Sequence, residues 1–460
     1  MLNRKAPAFV LSIVLALAMA NAPDAPRAVN AQGAARRTLF DGARVIVGDG
    51  QPAIERAAIL VENGTISRVG PRGFEVPAGT ERVDLTGKTV IPGIVTLHGH
   101  VGYLKDVTFS ADNYTRDNLI DHLTRYLYYG VVAMMSTGTD PGDLPFQLRD
   151  EPHPGALFRT AGRGLAAPNA STGNLAMRNV AYGVATEAEA RSAIGDLATK
   201  RPDFVKIWVD DRNGTVQKLS PALCRAIIDE AHARGIRVAA HVYYLADARD
   251  LVEAGIDGFL HLTRDEEMDD AIVRRMRERQ VFVTPNLGTS EAGTYTGRPA
   301  WLDDAALAET AAPAVLQKVS TLYASRRSSD AAPRQAASVS YAKQQRSLAR
   351  LNAAGVPIAL GGDTGIENTF FGYGEHRELE LMAAAGMTPM QVIVAATRTP
   401  AGILRIDGLG TVARGKSADF VVLDANPLEN ISNTRRISRV YQRGMEVDRA
   451  ALRARWTAAR

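Results

Sequence analysis

Short apolar runs alternate with helical segments through most of this chain, and that alternation limits the folds open to it. Eight such runs fall at residues 90–97, 130–136, 155–162, 203–209, 236–243, 257–262, 280–286 and 356–362. Between them lie helix signals. Thr186-Glu187-Ala188-Glu189 is a capping box for a helix that runs to about Lys200. Ser220-Pro221 supplies an N-cap and a first-turn proline, and Gly235 stops the helix that follows. Segments 246–254 and 265–279 fill the next two gaps. Strands separated by helices build parallel sheets. Eight of them predict an α/β chain closed into a (β/α)8 TIM barrel, with function at the carboxyl ends of the strands.

Polar residues interrupt these runs at or near those ends. His98-Gly99-His100 closes the first run, and residues two apart on a strand share a face. Lys206 breaks the fourth run, His241 ends the fifth, His261 the sixth, and Asp363 follows the eighth. Singly, each has an ordinary reading: a hydrogen-bonded core histidine, a lysine on a solvated face, an aspartate making a turn. Six of them at one end of one barrel point instead to a metal site, since imidazole and carboxylate are ligands for zinc and similar ions.

With those residues on the page, the chain resembles the amidohydrolase superfamily, in its imidazolonepropionase-like and prolidase-like branch. Val90-Ile91-Pro92-Gly93 before the first pair and Gly415-Lys416-Ser417-Ala418-Asp419-Phe420-Val421-Val422-Leu423 near the end carry the likeness, which covers nearly all of the chain after its leader. The resemblance implies two divalent metals, usually zinc. It assigns His98, His100 and Asp363 to one metal and His241 and His261 to the other, with N6-carboxylated Lys206 as the bridge. Two metals sharing a water lower its pKa and supply hydroxide. Burial beside cations keeps the lysine amine neutral and able to form the carbamate. Asp363 is then the general base and acid that moves the proton to the leaving nitrogen.

The same resemblance predicts a hydrolase of a C–N amide bond in a small peptide-like or N-acyl amino acid substrate. Deaminase relatives carry a glutamate three residues after the fifth-strand histidine, and here that residue is Tyr244. Tyr243 matches a tyrosine that approaches substrate in prolidase-like members, and packing on the barrel rim is its other reading. Arg163 and Arg264, each just past a strand end, are candidates for holding a substrate carboxylate. Two other functions stay open: hydrolysis of a cyclic amide or lactone, and a non-catalytic barrel that only binds.

Residues 37–88 and 408–447 hold short alternating segments broken by turns, Asn63-Gly64 among them, and predict one composite β-sandwich built from both flanks. The barrel then spans 89–407. Its seventh and eighth runs are separated by about seventy residues, far beyond the roughly 2–6 of ordinary connections. The insertion at about 288–337 reads as a substrate lid or a dimer contact, with a return helix near 341–354, and 166–179 is a second excursion on the same face. Net charge is +4 with scattered arginines, which gives no basic patch for nucleic acid. Homo-oligomerisation is left open.

Asn3-Arg4-Lys5, the apolar stretch 8–20 and small residues before Ala20 or Ala31 predict a cleaved signal peptide within 1–31. The mature chain is then periplasmic or secreted, acts on a small molecule and has no stable membrane insertion. Its single cysteine, Cys224, forms no intrachain disulfide.

Overall fold

A computed structural model describes residues 36–325 and 331–458. The signal-peptide reading lies outside the described residues. Strands from both flanks share one sheet of eight, in the order Met445–Glu446, Ile437–Gln442, Phe420–Leu423, Thr89–Pro92, Arg37–Val45, Ile54–Glu62 and Thr65–Pro71, with Glu81–Asp84 also pairing with Arg37–Val45. The joint between the flanks is the antiparallel pairing of Phe420–Leu423 with Thr89–Pro92. Phe40, Phe420 and Tyr441 pack over it with ring centroids 4.8–5.0 Å apart.

The first predicted run, 90–97, is two strands rather than one. Thr89–Pro92 belongs to the flanking sheet and Ile94–Gly99 to the next. Gly93 makes the break: its N–H turns to Asp419 O (2.9 Å), and a Cβ there would lie 2.5 Å from Val132 Cγ2.

Seven of the predicted runs hold strands, all shorter than the apolar runs. Ile94–Gly99, Val131–Ser136 and Leu157–Thr160 form a three-stranded parallel sheet. Val205–Val209, Val238–Val242, Gly258–Leu260 and Phe282–Thr284 continue a second parallel sheet that begins with Leu165–Ala166 and Tyr182–Gly183. The eighth run, 356–362, is no strand. It lies extended between the two sheets, with Val283 N–H on Pro357 O (3.0 Å) and Ala359 N–H on Val283 O (2.9 Å) on one side and Leu97 N–H on Leu360 O (2.8 Å) on the other. Pro357 has no N–H to give, and the Gly361-Gly362 pair passes too close to its neighbours for a ladder. The other seam has a single backbone bond, Asp203 N–H to Thr160 O (3.0 Å). The described strands therefore do not make one closed ladder.

The helix signals are largely met. Glu187–Thr199 has its capping box, and Pro221–Ala233 is capped by Ser220. The third and fourth are Leu245–Ala254 and Asp270–Glu278, the latter starting five residues later than the pattern suggests because Asp269 caps it. The long insertion is helical rather than loop-like, with Leu287–Glu291, Ala305–Ala308, Pro313–Ser325 and Ala331–Ala354. It packs on the helix Arg116–Tyr128 and its end, where Tyr129 Oη donates to Ala306 O (2.6 Å) and Arg125 Nη1 to Thr310 O (2.7 Å). Among the described residues no helix is long and apolar enough to cross a membrane.

Phe420→Ala is expected to cost about 3–5 kcal/mol, the usual loss for a buried phenylalanine, because it empties the contact that joins the two flanks. Denaturant unfolding of the purified protein measures it. A loss below about 1 kcal/mol would mean that the aromatic cluster does not hold the joint.

Candidate metal centre

Each candidate ligand sits where a strand delivers it. His98 is the fifth residue of Ile94–Gly99, and His100 follows the strand, its N–H on Thr364 O (2.7 Å). Lys206 is the second residue of Val205–Val209, deeper than a strand end, so its long side chain must reach up through the interior. His241 lies in Val238–Val242, and His261 follows Gly258–Leu260. Asp363 follows the eighth run, its N–H on His98 O (2.9 Å). All but His241, which is partly buried, are buried.

The side chains converge. Asp363 Oδ1 lies 3.1 Å from His100 Nε2 and 3.4 Å from His98 Nε2, and Oδ2 lies 3.8 Å from His261 Nε2. The rings of His241 and His261 are 4.6 Å apart. His98, His261 and Asp363 place one donor atom each within 4.8 Å of one another, the one such group among the described residues. This trio crosses the division into two ligand sets that the resemblance implies.

The electrostatics suit a cation. Burial drives the His98 and His261 imidazoles well below their usual pKa and His241 down to about 4, so all three are neutral with a lone pair to offer. Burial also lowers the Lys206 amine to about 7. Asp363 is pushed upward by burial, yet the His100 hydrogen bond and the Lys206 amine help to hold its carboxyl well below the ordinary range. It is therefore an anion.

The ring nitrogens turned away from the cluster are held by residues that sequence reading missed. Asn286 meets His98 Nδ1 with its amide oxygen. Its amide nitrogen then donates to Thr284 Oγ1 (2.8 Å) and Thr284 O (3.0 Å). That assignment puts the His98 proton on Nδ1 and the lone pair on Nε2. A lone pair facing a carboxylate oxygen at 3.4 Å repels it, unless a cation lies between them. Asp210 Oδ2 accepts from His241 Nε2 (3.1 Å), which leaves Nδ1 as that ring's donor to a metal. His100 Nδ1 is paired with Thr139 Oγ1 (2.8 Å). The residues present fit a divalent metal. The signal that could have found Asp210 and Asn286 is the first polar side chain beyond an apolar strand.

Tyr243 is half-buried at the rim, its ring 4.8 Å from that of Tyr244, and the Arg264 guanidinium lies 5.8 Å from its centre. Arg264 Nη2 is 3.3 Å from His261 Nδ1, and its buried Nε has no hydrogen-bond partner. Arg163 is committed elsewhere, with Nε on Val180 O (2.6 Å) and its guanidinium over the Tyr182 ring. It lines a cleft of about 460 Å³ with Tyr103 and Tyr114.

Residues 179–447 match the amidohydrolase family. The chain belongs to that family. An uncharacterized protein of Mycobacterium tuberculosis is 28% identical over 225 residues, covering 46% of this chain and 54% of that protein. The chain thus spans about half the length of the sequence relatives it matches. A Bifidobacterium longum structure provisionally named a prolidase is 26% identical with a TM-score of 0.72, covering 92% of this chain and 99% of that one. The structure of a Xaa-Pro dipeptidase with methionine bound in its active site is similar in fold, at 22% identity and a TM-score of 0.71, covering 89% of this chain and 99% of that one.

Asp210→Asn is expected to weaken metal binding by roughly 10–100-fold, the usual cost of losing such an outer partner, because His241 loses the carboxylate that fixes its ring. Competition with a chromophoric chelator measures it. An unchanged affinity would leave Asp210 without that role.

Proposed function

We propose that the protein is a metal-dependent hydrolase of a C–N amide bond in a small peptide-like or N-acyl amino acid substrate, on a barrel-type α/β fold flanked by a composite sandwich. The observation that carries this reading is the meeting of neutral imidazoles, an anionic Asp363 and a buried Lys206 amine lowered to about 7. His98, His100 and Asp363 would hold one divalent ion, zinc by their chemistry, and His241 and His261 a second, with Lys206 bridging as its carbamate. Such ions polarise a carbonyl and acidify a water.

The chain's own residues supply the rest. Lys206, its amine lowered to about 7 and so partly deprotonated near neutral pH, presents the free amine that carbamate formation needs. Asp363 accepts a proton at Oδ2, since Oδ1 is taken up by His100, and returns it to the leaving nitrogen. Asn286 and Asp210 keep the His98 and His241 rings from turning. Arg264 is a half-buried cation with a buried, unsatisfied Nε–H beside the centre, which supports a substrate carrying a carboxylate. Tyr243 next to it supports a role in lining the same subsite. The leader at 1–31 supports export to the periplasm or beyond.

Metal content per chain tests the centre. About two ions in the parent, falling in Lys206→Ala together with most of the activity, is the expected outcome. One ion unchanged by the substitution would make Lys206 structural and favour ring-opening of a cyclic amide or lactone. Asp363→Asn should abolish turnover of any amide, and turnover that survives it would sink the assigned proton transfer. Arg264→Met should raise KM for N-acyl amino acids by about 10–100-fold, as lost charge-assisted bonds do, and leave their C-terminal amides unaffected. Equal effects on both would remove Arg264 from carboxylate binding.

A further inference from the structure

The helix Tyr373–Ala384 turns two glutamates, Glu375 and Glu378, into the interior three residues apart, and both are buried. Residues at that spacing share one helix face. Among the described residues neither carboxylate meets a lysine or an arginine; the neighbouring Arg377 pairs with Glu291 and Glu380. Instead each one holds a loop that carries part of the metal centre.

Glu375 Oε1 accepts from Thr364 Oγ1 (2.7 Å), and Oε2 from the N–H of Gly372 (2.8 Å). The Thr364 hydroxyl in turn accepts from Tyr126 Oη at 2.5 Å, so its own proton is committed to Glu375. On the other side of Asp363, a Cβ at Gly362 would lie 2.5 Å from Glu375 Oε1. The carboxylate therefore touches both residues that flank Asp363. Asp363 itself sits at φ 49, a backbone state that is costly for a non-glycine residue and must be held by its surroundings.

One turn on, Glu378 accepts the N–H of Leu287 at Oε1 (2.7 Å) and of Gly288 at Oε2 (2.8 Å). Those residues follow Asn286, which is also left-handed at φ 52 and whose side chain holds His98 Nδ1. One face of one helix thus reaches a ligand from the first run and a ligand from the eighth.

We infer that Glu375 and Glu378 are positioning residues for the metal centre, Glu375 setting the Asp363 carboxylate and Glu378 setting, through Asn286, the ring and tautomer of His98. The inference rests on the metal-centre reading above. Glutamine at either position keeps the shape but turns an NH2 toward a donor that the carboxylate satisfied.

The test compares the parent, Glu375→Gln, Glu378→Gln and, as control on the same helix, Glu380→Gln. Each is stripped of metal and titrated with Zn(II) against a chromophoric chelator. The first two variants should bind zinc roughly 10–100-fold more weakly, and Glu380→Gln within about twofold of the parent. Thr364→Val removes only the hydroxyl between Tyr126 and Glu375, and should also weaken zinc binding if Glu375→Gln fails to fold. The nitrogen-15 spectrum of the zinc-free imidazoles should show His98 protonated on Nδ1 in the parent and mixed in Glu378→Gln. A helix that merely stabilises the fold would lower Tm in these variants yet leave affinity and tautomer unchanged, and that result overturns the inference while the metal centre stands. A parent that binds no divalent ion overturns the metal-centre reading itself.

Discussion

Asp363 brings a negative charge against three histidine rings in a part of the molecule closed to water. Removing a carboxylate from water costs several kcal/mol even after relaxation, and the His98 and His261 rings that face it are themselves held neutral by burial. Oδ1 has one good donor, His100 Nε2, and the His98 lone pair beside it makes matters worse. A further carboxylate, Asp210, stands on His241, while burial raises Glu375 to about 7 and Glu378 to about 8 under the loops. The cations near them are the buried Lys206, whose amine is lowered to about 7, and the half-buried Arg264. Divalent ions in the centre would favour the ionised form of the carboxylates around them, so metal binding and stability of this region are linked quantities.

The backbone around the centre is arranged at a cost consistent with that demand. His261, Asn286 and Asp363 all take positive φ, one at the end of each of three successive segments. Such residues persist where surrounding structure over-determines them, and here the determinants are visible. Gly361 allows the eighth run to pass His98 and Thr284, where a Cβ would lie 2.8 and 2.7 Å from their Cβ atoms. A ladder of regular strands would relieve the strain but would carry Asp363 away from the histidines. The irregular eighth run and the incomplete sheet closure are therefore the local expression of where the ligand has to sit.

This explains which parts were legible in the sequence. Polar side chains of metal-ligating type on apolar strands are rare enough that six of them stood out; five meet in one network of side chains, and Lys206 is coupled electrostatically to Asp363. Caps at Thr186 and Ser220 were legible because they depend on neighbours within three residues. The split at Gly93 was not, because Val90 to Leu97 is apolar throughout and the break is caused by distant Val132 and Asp419. Within the insertion, 292–299 is non-helical, and the short helix farther on is fixed by contacts of Ala306 and Thr310 with Tyr129 and Arg125, which lie far away in the sequence. Asp210 and Asn286 are marked only as the first polar side chains beyond apolar strands, and Glu375 and Glu378 act through hydrogen bonds to loops that no local pattern announces.

The same distinction separates the chemistry of the centre from its choice of substrate. Ligands must point inward at fixed positions on strands, so their identity follows from the sheet. Substrate contacts come from loops that vary independently of it. At the rim the contrast falls between two arginines: Arg163 is spent on Val180 and Tyr182, whereas Arg264 keeps an N–H unpaired against His261 and Tyr243. A buried, unsatisfied N–H costs stability in the free protein, and an anionic substrate group that pairs with it recovers that cost on binding. Preference for a carboxylate-bearing substrate would then come from a single loop residue, while hydrolysis itself draws on the charge balance of the sheet beneath.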